Sequence, residues 1–191
     1  MRCPLRGKRG GGVRVPQNIL VVYKKNFEHV HDEALDIVKN TLEIISNDFE
    51  IIVNYSAREK VSREDFIGRD LVVVLGGDGT LTSIAHSVDE NTPVMGVNSH
   101  PREIDNDGSY GFYMGSDPVN FKEDIVRALC DEAIINILPR LQAEISTTSG
   151  NKIRSDPALN DLLLANTHQY QPSKYRLQRK EDSKNSEINC I

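Results

Sequence analysis

The sequence predicts an α/β fold, a mainly parallel sheet that runs on into the opening of an all-β unit. Three observations carry that expectation. Short apolar runs alternate with stretches of helical period as far as about Ala133, the alternation from which parallel sheets are built. The most apolar run, Leu71-Val72-Val73-Val74-Leu75, opens directly into a glycine-rich turn. Beyond Pro139 the helical period disappears, and apolar segments follow one another without an intervening helix.

Asn18–Tyr23 is a short apolar run of the kind that a parallel sheet buries on both faces. A helix is expected over about Glu28 to Asn47, with Val30, Ala34, Ile37, Val38, Leu42 and Ile45 facing the sheet. Phe49–Tyr55, centred on Ile51, Ile52 and Val53, reads as the second strand. Ser62-Arg63-Glu64-Asp65 resembles a capping box, in which a hydroxyl and a carboxylate satisfy each other's backbone donors, and so opens a short helix. Asp70–Leu75 is the third strand, Leu81–Ser87 a helix, Pro93–Val97 the fourth strand. Val119–Ala133 is a helix with Phe121, Ile125, Ala128 and Leu129 on one face. Arg140–Thr147, Leu159–Thr167 and Tyr175–Leu177 read as strands of the β unit. The domain reading is therefore a basic leader at 1–16, an α/β domain at 17–137, a partial β domain at 138–178 and a disordered tail at 179–191. The tail follows from Gln178–Glu187, which holds no apolar residue.

Composition narrows the function classes. A net charge of −5 gives no electrostatic reason to expect nucleic acid as a partner. No apolar run approaches the roughly 20 residues that span a bilayer, so no membrane is expected. Cys3, Cys130 and Cys190 are far apart and show no metal-ligand spacing, which fits a reducing compartment; no protein-held metal is expected. Arg2, Arg6, Lys8, Arg9 and Arg14 precede the first acid, Glu28, as in a mitochondrial transit peptide. The Gly10-Gly11-Gly12 run and the missing amphipathic face argue for a plain flexible leader, and cytoplasm is the simpler reading. The histidines, His29, His31, His86, His100 and His168, are read as structural or solvated, His100 least firmly because it lies beside Asn98.

The segment that carries chemistry is Gly76-Gly77-Asp78-Gly79-Thr80, between the third strand and a helix. Glycines let a backbone approach a phosphate closely, and free N–H groups at a helix start favour an anion. Crevices beyond the carboxyl ends of parallel strands are where such sheets bind ligands. Asp78 would repel phosphate unless it accepts a proton from an attacking hydroxyl or holds Mg²⁺. The plainer reading is that Asp78 caps the helix and the glycines only form a turn.

Gly76-Gly77-Asp78-Gly79-Thr80 resembles the motif shared by NAD kinases, by diacylglycerol and sphingosine kinases and, more distantly, by phosphofructokinases. Three further segments are similar to the NAD kinase family: Pro93–Asn98 ending in Gly96-Val97-Asn98, Gly108-Ser109-Tyr110-Gly111-Phe112-Tyr113, and Asn160-Asp161, where the family commonly has Asn-Glu. Leu81–His86 lacks the Asn-Glu and Asn-Gly expected of lipid kinases, and Ile104–Asp107 is a short echo of phosphofructokinases. The fold implied is that of NAD kinases and diacylglycerol kinases.

The resemblance implies phosphoryl transfer from ATP, or polyphosphate in some members, to the adenosine 2′-hydroxyl of NAD, giving NADP. Asp78 would be the general base. Gly76, Gly77, Gly79 and Thr80 would surround the phosphates, with Mg²⁺ neutralising charge. Phe112 and Tyr113 would line the nucleotide pocket, or pack in the core. Asn98 and Asn160 would bond ribose or base, or stabilise turns, and Asp161 would reach ribose hydroxyls. The complete enzyme would be a homo-oligomer. The likeness covers about residues 17–177, while the family continues into a β-rich domain with a second glycine-rich segment. The expectation is thus of a truncated member, active or a catalytically incomplete nucleotide-binding fragment, with a lipid kinase as the weaker alternative.

Overall fold

The structure is a computed structural model that describes residues 16–25, 29–102, 106–168, 170–172, 175–181 and 184–190. The basic leader, apart from Pro16, lies outside the described residues. Four strands, β1 (Gln17–Tyr23), β2 (Ile51–Ala57), β3 (Leu71–Gly76) and β4 (Val94–Asn98), pair in parallel in the order β2-β1-β3-β4. Three helices accompany them: α1 (His29–Ile45), α2 (Asp78–Ile84) and α3 (Phe121–Leu129).

Side-chain alternation along β1 and β3 divides the core in two. Ile19, Val21, Leu71, Val73 and Leu75 pack with Ala34, Leu35, Val38, Leu42 and Ile45 of α1 and with Phe121, Ile125 and Leu129 of α3. Leu20, Val22, Val72 and Val74 point to the opposite face, onto Leu81 and Ile84 of α2 and onto Phe66 and Val88. A strand buried on both faces has no polar positions to spare, which is why these runs are continuous in sequence.

The four parallel strands and the helices packed on them arise near where the sequence places them, with shifts at the ends. β2 begins two residues later than expected, and Phe49 instead enters the core before the strand starts. On α1 the buried stripe is His31, Ala34, Leu35, Val38, Thr41, Leu42 and Ile45, while Ile37 is 45% exposed. At 100° per residue Ile37 lies well off the centre of that stripe, so helical position overrides its apolar character. Val30 has no described side chain. Arg63–Phe66 forms a 3-10 turn in which the Asp65 carboxylate accepts from the Ser62 N–H (2.7 Å) and hydroxyl (3.1 Å).

The chain divides into two units, one ending at Asn160 and one beginning at Asp161. In the first, β5 (Glu144–Ser146) and β6 (Lys152–Arg154) form an antiparallel hairpin, shorter than the strand expected over Arg140–Thr147. Leu159–Thr167 is irregular rather than a strand, and Leu163 is 91% exposed. An apolar run makes a strand only where another strand supplies hydrogen bonds and packing. In the second unit, β7 (Tyr175–Glu181) pairs with β8 (Lys184–Cys190), across much of the segment read from composition as disordered. Ladder hydrogen bonds come from the backbone, so a hairpin does not require apolar side chains. Among the described residues no helix is long and apolar enough to cross a membrane.

Candidate active site

The strand order makes the site. The chain leaves β1 toward β2 and leaves β3 in the other direction toward β4, so the crevice between the carboxyl ends of β1 and β3 lies at a reversal of winding. Backbone bonds extend the sheet past the strand ends: Lys24 N donates to Leu75 O (3.0 Å), Arg58 N to Tyr23 O (2.9 Å) and Ser99 N to Gly76 O (3.0 Å). A cleft of about 320 Å³ opens there, lined in part by Lys24, Arg58, Gly77, Asp78, Asn98 and Ser109.

Each glycine of the turn meets something different. A side chain at Gly76 would run into the Thr80 hydroxyl, and one at Gly77 would come within 2.8 Å of Ser109 Oγ. Those two glycines are required by the protein's own packing. At Gly79 an added Cβ would meet nothing within 4 Å, so the space above it is open to a ligand. Thr80, which also borders the cleft, is buried with its side chain tucked against Gly76.

Asp78 is the first residue of α2, and Gly77 is the cap. Its carboxylate does not close the helix end but reaches the turn after β4. Asp78 Oδ1 accepts the Tyr113 N–H (2.9 Å), and Oδ2 accepts the Ser109 hydroxyl (3.2 Å). Ser109 Oγ in turn accepts the N–H groups of Asp78 and Gly111, each at 3.3 Å. The two motifs are thereby clasped together, with the carboxylate held by one N–H and one hydroxyl. Gly111, at φ +70°, adopts the left-handed region that the tight turn needs, and a side chain there would press on the Asn98 amide.

Asn98 is buried at the end of β4. Its Nδ2 donates to Ser109 O (3.2 Å), and its Oδ1 accepts the His100 N–H (3.3 Å). The amide borders the cleft, but much of its hydrogen-bonding capacity goes to shaping the loop. His31, from the first turn of α1, is buried with Nδ1 2.7 Å from Ser99 Oγ, and its ring meets His100 edge-on at 6.2 Å between centroids.

The structure gathers Gly77, Asp78, Gly79, Thr80 and Asn98 at the cleft. Gly76 lies just behind it, as the last residue of β3. Phe112 is 83% exposed and stacks on Tyr110, with ring centroids 5.7 Å apart, instead of lining the cleft. Tyr113 packs its ring against the α2-side core and offers the site its backbone N–H. Asn160 is exposed and does not border the cleft, and Asp161, also exposed, opens the second unit. Lys24, Arg58, His31, Ser99, His100, Asp107, Gly108 and Ser109 line the cleft without having been singled out for it. A signal for one of them was present: Lys24 directly follows the apolar run of β1, the position from which a side chain reaches the crevice, whereas Arg58 lies beyond Asn54 and Ser56 and three residues past the strand expected over Phe49–Tyr55.

Comparison with known proteins bears on this arrangement. The ATP-NAD kinase N-terminal domain matches residues 22–133, more than half of the chain. The chain belongs to the ATP-NAD kinase family. It is similar to a probable NADH kinase of Oryza sativa, 25% identical over 190 residues that span 93% of this chain and 56% of that protein. An NAD kinase of Rhodopirellula baltica is 29% identical over 131 residues, 68% of this chain and 36% of the relative. The chain therefore spans between about a third and just over half the length of these two relatives. The fold agrees with an NAD kinase from Archaeoglobus fulgidus solved in complex with ATP, at a TM-score of 0.56 and 20% identity, covering 91% of this chain and 58% of that one. The matched family region holds β3, α2, β4, α3 and the whole Asp78–Ser109 clasp.

Proposed function

We propose that this chain carries the phosphoryl-transfer site of a NAD kinase, moving the terminal phosphoryl of ATP to the 2′-hydroxyl of the adenosine ribose of NAD. The observation that carries the reading is the Asp78 carboxylate, fixed by Tyr113 N–H and Ser109 Oγ–H at the mouth of a cleft beside the open space at Gly79. In the step proposed, the ribose oxygen attacks the terminal phosphorus and the bond to ADP breaks. The hydroxyl proton passes to Asp78 and ADP leaves. Each Asp78 oxygen carries one hydrogen bond and keeps lone-pair capacity for that proton. Holding the base by two partners reduces the reorganisation that the reaction needs.

Among the described residues no three His, Cys, Asp or Glu gather as a metal cage. Mg²⁺ in this proposal accompanies the phosphates of ATP, where it would neutralise charge on the transferring group. Cytoplasm is the compartment proposed, on the sparse and scattered cysteines. Association into homo-oligomers is proposed on the exposed aliphatic stretch Ile134–Leu138.

A second reading, nucleotide binding without turnover, is favoured by Asn160, which the resemblance assigns to the nucleotide but which does not border the cleft. Turnover separates the two. Purified chain incubated with NAD, ATP and Mg²⁺ is expected to form NADP, and Asp78→Asn to form none. A folded parent that makes no NADP would overturn the active-enzyme reading and leave the binding one.

A further inference from the structure

Both Asp-Gly pairs of the sequence, Asp78-Gly79 and Asp107-Gly108, border the same cleft. The pair has a chemistry of its own. Glycine has no side chain to shield its nitrogen, so that nitrogen can reach the carboxyl of the residue before it and close a five-membered ring.

The structure treats the two pairs differently. Asp78 is the first residue of α2, and closing the ring would require its backbone to rotate out of the helix. Its oxygens are also engaged, by the Tyr113 N–H (2.9 Å) and the Ser109 hydroxyl (3.2 Å). Asp107 is exposed, in a turn that runs into a bend at Gly108. No hydrogen bond among the described residues engages the Gly108 N–H.

The chain around Gly108 has no slack. A Cβ added there would lie 2.5 Å from His100 O, 2.7 Å from Pro101 C and 2.8 Å from Arg102 N. Ser109, the next residue, is paired with the same strip: its N–H donates to His100 O (2.9 Å), and its carbonyl accepts the Arg102 N–H (3.0 Å). Ser109 Oγ in turn holds the Asp78 carboxylate.

We propose that Asp107 is a modification site, at which the folded protein forms isoaspartate and thereby releases the Asp78 clasp. The Gly108 nitrogen attacks Cγ of the protonated Asp107 carboxyl. A C–N bond forms, and the amide proton and the carboxyl hydroxyl leave as water. Water then opens the succinimide at either carbonyl, returning aspartate or leaving isoaspartate, in which the main chain runs through Cβ and Cγ. The extra backbone carbon falls directly before Gly108, where His100 to Arg102 leave no room, and Ser109 is drawn away from Asp78. The partner that this chemistry calls for is a carboxyl methyltransferase that uses S-adenosylmethionine to esterify isoaspartate and so returns it to the ring. That the change stops turnover rests on the function proposed above; the modification itself does not.

The test is to age the full chain at neutral pH in heavy-oxygen water, which marks each opened ring, and to map the label by peptide mass. Asp107 is expected to take label, and Asp78 to lag about tenfold or more because its helix must first open locally. In denaturant the two pairs are expected to label alike. Asp107→Glu, whose ring would be six-membered, is expected to take no label at that position. Equal labelling of both pairs in the folded chain, or none at Asp107, would overturn the site. In the labelled chain the amide resonances of Gly111 and Tyr113 are expected to shift, and treatment with the methyltransferase and S-adenosylmethionine to restore them. Resonances unmoved at full labelling would overturn release of the clasp. NADP formation is scored separately: in an active chain it is expected to fall with the label and return on repair. A chain without turnover removes the kinase reading and leaves the isoaspartate to be decided by label and resonances.

Discussion

Val21 and Val73, in the middle of β1 and β3, are fully buried, whereas Ile134 and Ile137, just past α3, are 91% and 93% exposed. All four are β-branched aliphatics, so residue type does not separate them. Packing does. β1 has strand neighbours on both edges and helices on both faces, while the residues after α3 run without regular structure until β5. Hydrophobicity states that a residue can be buried, and the fold decides whether anything arrives to bury it.

The sharpest way to test that contrast is to remove side chains from each region and compare stabilities. Phe121 is fully buried in the core from α3, so Phe121→Ala is expected to cost about 3–5 kcal/mol in denaturant unfolding. A loss below about 1 kcal/mol would show the packing around α3 to be loose. Next in size is Ser109→Ala, which takes the hydroxyl from the Asp78 carboxylate and from two N–H groups. NADP formation, if present in the parent, is expected to fall about tenfold or more in kcat with the KM for NAD little changed. Recovery on Ser109→Cys would support a hydrogen-bonding role.

Asp117 offers a smaller effect. Its Oδ1 accepts the N–H groups of Val119 (2.7 Å) and Asn120 (3.0 Å), anchoring the entry to α3. Asp117→Ala is expected to destabilise by about 1 kcal/mol, the usual scale for a lost cap. The same carboxyl gives a pH dependence. Burial pushes Asp117 upward, but the hydrogen bonds from Asn120 and Val119 outweigh it and hold it below the usual carboxylate range. Backbone and side-chain bonds from Ser62 and from Asn91 and Thr92 likewise hold Asp65 and Asp89 down. A carboxyl lowered on folding contributes stability in full above its unfolded pKa of about 3.9 and loses it as pH falls through the folded value. Unfolding titrated downward from pH 5 is expected to show that loss, with a shallower decline in Asp117→Asn. The smallest effect belongs to the exposed stretch, where Ile137→Ser is expected to change the stability of the dilute, unassociated chain by no more than about 0.5 kcal/mol. A loss that grows with protein concentration is the result expected where the stretch is covered in an oligomer.

The same contrast explains what the sequence disclosed. Leu71–Leu75 announced a doubly covered strand because continuous apolarity has few other uses, and Gly76–Thr80 stood out because three glycines and an acid share the turn at the end of that strand. Local signals stopped at tertiary contact. That Asp78 would turn away from the helix cap to Ser109 and Tyr113 depends on a residue pair more than thirty positions apart. That Phe112 would lie on the surface could not be read from its type. That Lys24 and Arg58 would border one cleft depends on the strand order, which no local signal carries.

The most direct test of the account is to follow backbone amide resonances of the chain while NAD is added. The largest shifts are expected at Gly77, Asp78 and Gly79 and at Ser109, Gly111 and Tyr113, the two segments that the Asp78 carboxylate joins. Shifts confined to other surfaces, with those six amides unmoved at saturation, would contradict a nucleotide site at the β1–β3 crevice.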